Sequence, residues 1–237
     1  GDGTDTASYD AGNQSTEGVT INLQTGGGTG GDAEGDSFIS IENLIGSNLT
    51  DKLTGSTGAN VLWGGDGNDQ LDGGGGNDSL YGDAGDDTLK NSGAGIHYFD
   101  GGSGNNTVTY EGFDTALNLS LTSNSNNTNG NSGTEIFVNV RNLIGGNKDD
   151  LLSGNELDNQ LTGNGGNDSL YGLAGDDKLF GGAGDDVLDG GSGADILNGE
   201  TGTDTVSYAN ASSGVKLNLF SPSDGSGDAK GDVLTGI

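Results

Sequence analysis

The strongest constraint on this chain is a nine-residue repeat, glycine-glycine-x-glycine-x-aspartate-x-apolar-x, which runs in unbroken register through two tracts. The first tract has five copies, GSNLTDKLT, GSTGANVLW, GGDGNDQLD, GGGGNDSLY and GDAGDDTLK, from Gly46 to Lys90. The second has seven, GGNKDDLLS, GNELDNQLT, GNGGNDSLY, GLAGDDKLF, GGAGDDVLD, GGSGADILN and GETGTDTVS, from Gly145 to Ser207. A short period held this long is the signature of units that stack and share one continuous core. The x-apolar-x triplet around the eighth position reads as a short strand with one inward side chain. That residue is Leu53, Leu62, Leu71, Leu80 and Leu89, then Leu152, Leu161, Leu170, Leu179, Leu188, Leu197 and Val206. The six residues before it read as a turn, whose fourth-position glycine suits a backbone of positive φ. Two strands and two turns make one coil of 18 residues, and successive coils stack about 4.8 Å apart. The fold expected is all-β, a right-handed parallel β-roll or β-solenoid.

Composition narrows the choice. With 51 glycines, one proline and 29% apolar residues, the chain reads as disordered or as a narrow core along an elongated body. The strict apolar period favours the second, provided something neutralises a net charge of −29. That charge excludes a basic face for nucleic acid or anionic lipid. There is no cysteine, hence no disulfide or thiolate metal site. No apolar run reaches membrane-spanning length and no stretch reads as a signal peptide. Both ends fall inside motifs, which predicts an excerpt of a longer protein.

A larger repeat contains the smaller one. Tyr9, Tyr110 and Tyr208 are equivalent, and each precedes an alternating segment: VTINL at 19–23, TALNLSL at 115–121 and VKLNLF at 215–220. Acidic loops follow in two places, GDAEGD at 31–36 and GDAKGD at 227–232, and FISIENLIG (38–46) and FVNVRNLIG (137–145) lead into the tracts. The chain therefore divides into a spacer at 1–45, a tract with a degenerate end at 46–109, a spacer at 110–144, a tract at 145–207 and a partial spacer at 208–237. Spacers are expected to form wider coils of the same body, with a flexible uncharged loop at 122–133.

Stacking by 18 residues aligns Asp51, Asp69 and Asp87 on one side, and Asn60 with Asp78 on the other. In the second tract it aligns Asp150, Asp168, Asp186 and Asp204, and opposite them Asn159, Asp177 and Asp195. Carboxylates one coil apart repel unless a cation lies between them. Two carboxylates with turn carbonyls form an all-oxygen cage suited to Ca²⁺, ahead of Mg²⁺, zinc or copper.

The repeats resemble the RTX (repeats-in-toxin) calcium-binding β-roll family, in the interrupted form found in very large secreted proteins. The resemblance implies that one loop gives carbonyls from its second and fourth positions with its Asp. The loop one coil later gives carbonyls from its first and third positions with its Asp. In the first tract this groups Ser47, Leu49 and Asp51 with Gly64, Asp66 and Asp69. It likewise groups Asn60 with Gly73, Gly75 and Asp78, and Gly65, Gly67 and Asp69 with Gly82, Ala84 and Asp87. In the second tract Asp150 joins Gly163, Gly165 and Asp168, and Asn159 joins Gly172, Ala174 and Asp177. Asn164, Gly166 and Asp168 join Gly181, Ala183 and Asp186. Leu173, Gly175 and Asp177 join Gly190, Ser192 and Asp195, and Gly182, Gly184 and Asp186 join Gly199, Thr201 and Asp204. Eight candidate sites result; filling all would take the formal charge from −29 to −13.

Departures from the motif qualify these sites. Leu49, Lys148 and Leu157 replace the fourth-position glycine, and Asn60 and Asn159 remove a charge, so the first sites of each tract are expected to be weak or empty. The copy NSGAGIHYF at 91–99 has Ile96 in the Asp position, and Asp100 is read as breaking the frame. No calcium is expected there, and Ile96, Tyr98 and Phe99 are expected to pack on the spacer. His97, the only histidine, reads as a structural residue, and Trp63, Tyr81 and Tyr171 as isolated outward aromatics. No Gly-Lys-Ser/Thr follows the glycine runs, and calcium accounts for the close carboxylates without a glycosidase pair.

The chain therefore reads as non-catalytic, a calcium-folded module of a secreted, extracellular or cell-surface protein such as an adhesin stalk, surface layer or filament. The alternative is a folding or polysaccharide-holding module of a type I-secreted protease, lipase or alginate epimerase. Calcium, a second copy of the chain and surface polysaccharide are the partners expected, with neither nucleic acid nor membrane insertion.

Overall fold

The computed structural model describes residues 1–10, 15–122, 127–130, 134–217 and 225–237. The chain forms two units, Gly1–Thr109 with Asn131–Val140, and Tyr110–Gly130 with Arg141–Ile237. In each, consecutive strands alternate between two parallel sheets, the signature of a β-roll. In the first unit one sheet runs Thr6–Ser8, Asn43–Ile45, Val61–Asp66, Ser79–Ala84, Tyr98–Asp100 and Ile136–Val138. The facing strands are Thr20–Asn22, Lys52–Thr54, Gln70–Asp72, Thr88–Lys90 and Thr107–Thr109, with Gly27–Thr29 antiparallel at the edge. The second unit sets Asn142–Ile144, Gln160–Gly165, Lys178–Ala183, Ile196–Thr201 and Val233–Thr235 opposite Asn118–Ser120, Leu151–Ser153, Ser169–Tyr171, Val187–Asp189 and Thr205–Val206.

Register within the tracts steps by 18 residues, so the eighth-position side chains form columns: Leu53, Leu71 and Leu89; Leu62 and Leu80; Leu161, Leu179 and Leu197. Every eighth-position leucine is at most 1% exposed, whereas Val206, on the edge strand of its sheet, is only half-buried. The spacers extend the same columns. Ile21 pairs with Leu53, Leu44 with Leu62, Leu119 with Leu152 and Leu143 with Leu161, all fully buried. Burying each such side chain contributes about 1.5–3 kcal/mol. Spacers make wider coils, since Thr6 pairs with Asn43 and Ile196 with Val233, 37 residues apart. The acidic loops each form a turn of 3-10 helix, Gly31–Ala33 and Gly227–Ala229. Most of the expected loop at 122–133, and residues 218–220 of the alternating segment at 215–220, lie outside the described residues.

The degenerate copy departs from the sequence reading. Tyr98 lies opposite Ser79, Phe99 opposite Leu80 and Asp100 opposite Tyr81, a step of 19 residues. Asp72 still lies opposite Lys90, but a Cβ on Gly93 would overlap the Gly74 carbonyl, so the additional residue enters between Lys90 and Gly93. Asp100 does not break the frame. It holds the ninth position and accepts hydrogen bonds from Gly102 N–H (3.0 Å) and the Asn139 side chain (2.8 Å). His97, not Ile96, thereby takes the sixth position. Phe99 is buried with its ring 5.7 Å from Phe137 of the spacer, as expected, but Ile96 is 41% exposed. Of the outward aromatics, Trp63 and Tyr81 are not isolated. Trp63 stacks on Tyr81 (centroids 5.7 Å apart, planes 10° apart), and Tyr81 lies 5.6 Å from Tyr98.

Candidate metal centres

Each turn is held by its sixth-position side chain. The N–H of one sixth residue donates to the Oδ1 of the next, one coil on. Asp51 donates to Asp69 and Asp69 to Asp87, both at 2.8 Å, and Asn60 donates to Asp78 at 2.8 Å. In the second tract the chain of donors runs Asp150 to Asp168 to Asp186 to Asp204, at 2.7, 2.7 and 3.0 Å. Opposite them it runs Asn159 to Asp177 to Asp195, at 2.7 and 2.9 Å. The stacked columns read from the sequence are thus joined by one bond per coil.

This bond uses one carboxylate oxygen and leaves the other. The Oδ2 atoms of Asp69, Asp78, Asp87, Asp168, Asp177, Asp186, Asp195 and Asp204 are buried and accept no hydrogen bond. An acceptor buried without a partner costs about 1–3 kcal/mol, more if charged, which is the condition a bound cation relieves. The same cost raises proton affinity. Burial, together with the carboxylates of neighbouring coils, lifts Asp69, Asp168 and Asp195 from 3.8 to about 7. Burial likewise lifts Asp87, Asp150 and Asp177 to about 6.

First-position glycines complete the cradle. A Cβ on Gly64 would overlap Asp69 Oδ2 and approach the Gly82 carbonyl to 2.8 Å. A Cβ on Gly163, Gly172 or Gly181 would likewise overlap Asp168, Asp177 or Asp186, and approach the carbonyl of Gly181, Gly190 or Gly199 to 2.5, 2.5 and 2.9 Å. Each aspartate and the first-position carbonyl of the following coil therefore converge on one point that only glycine leaves open. Second- and fourth-position carbonyls project toward the next coil. A Cβ on Gly85 or Gly184 would overlap the carbonyl of Gly67 or Gly166, and on Gly182 or Gly191 that of Asn164 or Leu173. The third-position carbonyls of Ala84, Ala183, Ser192 and Thr201 accept fourth-position N–H groups at 2.8–3.1 Å, each keeping a second lone pair. Among the described residues no three His, Cys, Asp or Glu side chains converge, so main-chain carbonyls must supply most donors of any cage. Hard, flexible oxygen donors of this kind fit Ca²⁺.

The first copies are built differently. Asp51 accepts Val19 N–H on Oδ1 (2.6 Å) and Ser47 N–H on Oδ2 (2.5 Å). Asp150 accepts Leu117 N–H on Oδ1 (2.9 Å) and Gly146 N–H on Oδ2 (2.7 Å). Both oxygens are engaged, and the spacer supplies the N–H that a preceding loop supplies elsewhere. Asn60 and Asn159 instead turn their amides to the spacer, donating to the carbonyls of Glu42 (2.6 Å) and Arg141 (2.8 Å).

Three further features escape the nonapeptide reading. Fifth-position Asn and Asp form a second ladder: Asn68 accepts from Asp86, Asp149 from Asn167, Asn167 from Asp185 and Asp176 from Ala194, at 2.8–2.9 Å. The second position needs the left-handed region as much as the fourth. Asp83, Asn164, Leu173 and Glu200 hold it at φ 67–81° although none is glycine. The motif's second-position glycine signals this need, but these four copies depart from it and only their backbone geometry shows that it persists. At the first position φ is ordinary, and glycine is required by the cradle alone.

The family model for the RTX calcium-binding nonapeptide repeat matches residues 45–80, 69–90, 144–179 and 171–206. No curated protein matches the chain. Residues 45–90 and 144–206, with their Asp columns, buried Oδ2 atoms and glycine cradles, are RTX calcium-binding nonapeptide repeats.

Proposed function

We propose that this chain is a calcium-folded structural module of a large secreted bacterial protein, repeated along an adhesin stalk, surface layer or extracellular filament. One observation carries the reading: the hundred-residue superrepeat returns down to single hydrogen bonds. Tyr9 N–H donates to Ile45 O at 3.0 Å and Tyr110 N–H to Ile144 O at 2.9 Å. Tyr9 Oη donates to Asp36 at 2.5 Å and Tyr208 Oη to Asp232 at 2.6 Å. A module that copies its junctions as well as its repeats suits serial extension, and its role here is mechanical, not catalytic. Among the described residues no helix is long and apolar enough to cross a membrane.

On this reading the chain folds where calcium is abundant, outside the cell, because binding and folding are one equilibrium when stacked carboxylates repel. Sedimentation velocity with excess calcium and with chelator, over a range of protein concentrations, tests it. Calcium-dependent growth into long species supports a filament of like modules. Compaction at constant monomer mass supports calcium-driven folding and leaves the stalk and the accessory-module readings both standing. No response to calcium removes both.

A further inference from the structure

In the first unit one polar column does not end as the others do. It runs Asn60, Asp78, His97, Glu135, each main-chain N–H donating to the next side chain. Asn60 donates to Asp78 Oδ1 (2.8 Å), Asp78 to His97 Nδ1 (3.4 Å) and His97 to Glu135 Oε2 (3.3 Å). Asp78, His97 and Glu135 are each 2% exposed. His97 thus stands where a calcium site places its second aspartate. Asp78 Oδ2 accepts no hydrogen bond and lies 3.4 Å from His97 Nδ1.

An unprotonated Nδ1 and the Asp78 carboxylate are two buried acceptors facing each other across 3.4 Å, a pair that a cation between them would join. At 3.4 Å the Asp78 N–H is a poor donor to Nδ1, where a good bond spans about 2.9–3.0 Å. The same 3.4 Å is what two ligands of one ion present: bonds of about 2.1 Å from nitrogen and oxygen would meet at an angle of about 110°. The carbonyls of Gly74 and Gly76 project onto this coil, because a Cβ on Gly93 or Gly95 would overlap them. Glu135 fixes the imidazole coil, its Oε2 on His97 N–H and its Oε1 accepting from the buried Asn91 side chain at 3.3 Å.

We infer that Asp78 Oδ2 and His97 Nδ1, with the carbonyls of Gly74 and Gly76, form a mixed nitrogen and oxygen site for a divalent first-row transition ion. Replacing a carboxylate with imidazole turns the preference away from calcium, which takes oxygen donors, toward ions such as zinc. The roll then carries one centre of different selectivity at the end of its first tract.

The test is a titration of the untagged chain with ZnCl₂ in saturating calcium, followed by calorimetry and by the imidazole C–H proton signals. These signals report His97 alone, because the chain has one histidine. The expected result is one equivalent of zinc bound, with the His97 signals shifting to completion at that equivalent. His97→Ala should weaken that equivalent at least tenfold, and His97→Asp should exchange it for an additional calcium. Unmoved imidazole signals at stoichiometric zinc, or undiminished binding by folded His97→Ala, would overturn the inference and leave a histidine–aspartate contact. If either variant misfolds, the wild-type proton signals decide alone.

Discussion

Gly163 and Gly165 sit two residues apart in one turn, and the structure assigns them opposite tolerance. Neither has positive φ, so alanine meets no backbone strain at either position. A Cβ on Gly163 would overlap Asp168 Oδ2 and stand 2.5 Å from the Gly181 carbonyl, whereas ordinary contact begins at 3.4 Å. On Gly165 the nearest atom would be Asn147 Cα at 3.8 Å. Gly163→Ala must therefore push aside the Asp168 carboxylate and the Gly181 carbonyl, two donors of one candidate site, the carbonyl by about 0.9 Å. Overpacking of this kind costs about 1–3 kcal/mol. At 1.4 kcal/mol per decade, calcium should bind roughly five- to a hundredfold more weakly at that site. Gly165→Ala should stay within about 0.5 kcal/mol of the parent, in the range of a substitution that touches nothing critical. Calcium calorimetry and thermal unfolding in calcium would compare the two variants directly. Equal calcium affinity would refute the argument, because the cradle would then not be where the ion sits.

Two other perturbations separate proton, metal and hydrogen bond. Without calcium, carboxylates lifted from 3.8 to about 6–7 bind protons more tightly folded than unfolded, so stability is fullest below about pH 4 and declines as pH rises through 6–7. Calcium-free chain should therefore gain strand signal in circular dichroism on acidification from pH 8 to 5, while calcium affinity falls over the same range; a flat response would show that these groups are not buried as described. Asn159→Asp should not improve calcium binding despite restoring the motif: it loses the 2.8 Å bond to Arg141 O and sets a carboxylate against that carbonyl, at about 1–3 kcal/mol. Tighter calcium binding with unchanged melting would refute that assignment.

The β-roll was legible because one period fixes both strand and turn. Leu62 and Leu80 lie 18 residues apart in sequence and directly opposite in the ladder, with nothing else competing for the core. The Asp columns followed by the same arithmetic. Where the period fails, counting fails with it. The additional residue between Lys90 and Gly93 shifts His97 into the sixth position, and nothing in NSGAGIHYF marks where it enters. The spacer partners were equally hidden. Glu42, Arg141 and Glu135 matter through a carbonyl or a carboxylate meeting a tract residue 18 to 38 positions away, and no motif encodes such pairings.

Those partners explain why the sixth position changes type where a column meets a spacer. Inside a tract every aspartate has another loop one coil away, and a cation between them can satisfy its free oxygen. At a boundary no such loop exists, and an unpartnered carboxylate would face main-chain oxygen. Asn60 and Asn159 answer this at the start of a tract with an amide donated to a spacer carbonyl. At the end of the first tract Asn106 does the same toward Asn139 O, at 3.3 Å. Where the boundary residue stays Asp, the spacer brings the donor instead: Val19 and Leu117 N–H to Asp51 and Asp150, and the Tyr208 hydroxyl to Asp232. Spacer and tract are therefore matched residue by residue. Asp78 and His97 meet without either remedy, and there the divalent ion inferred above would bridge them.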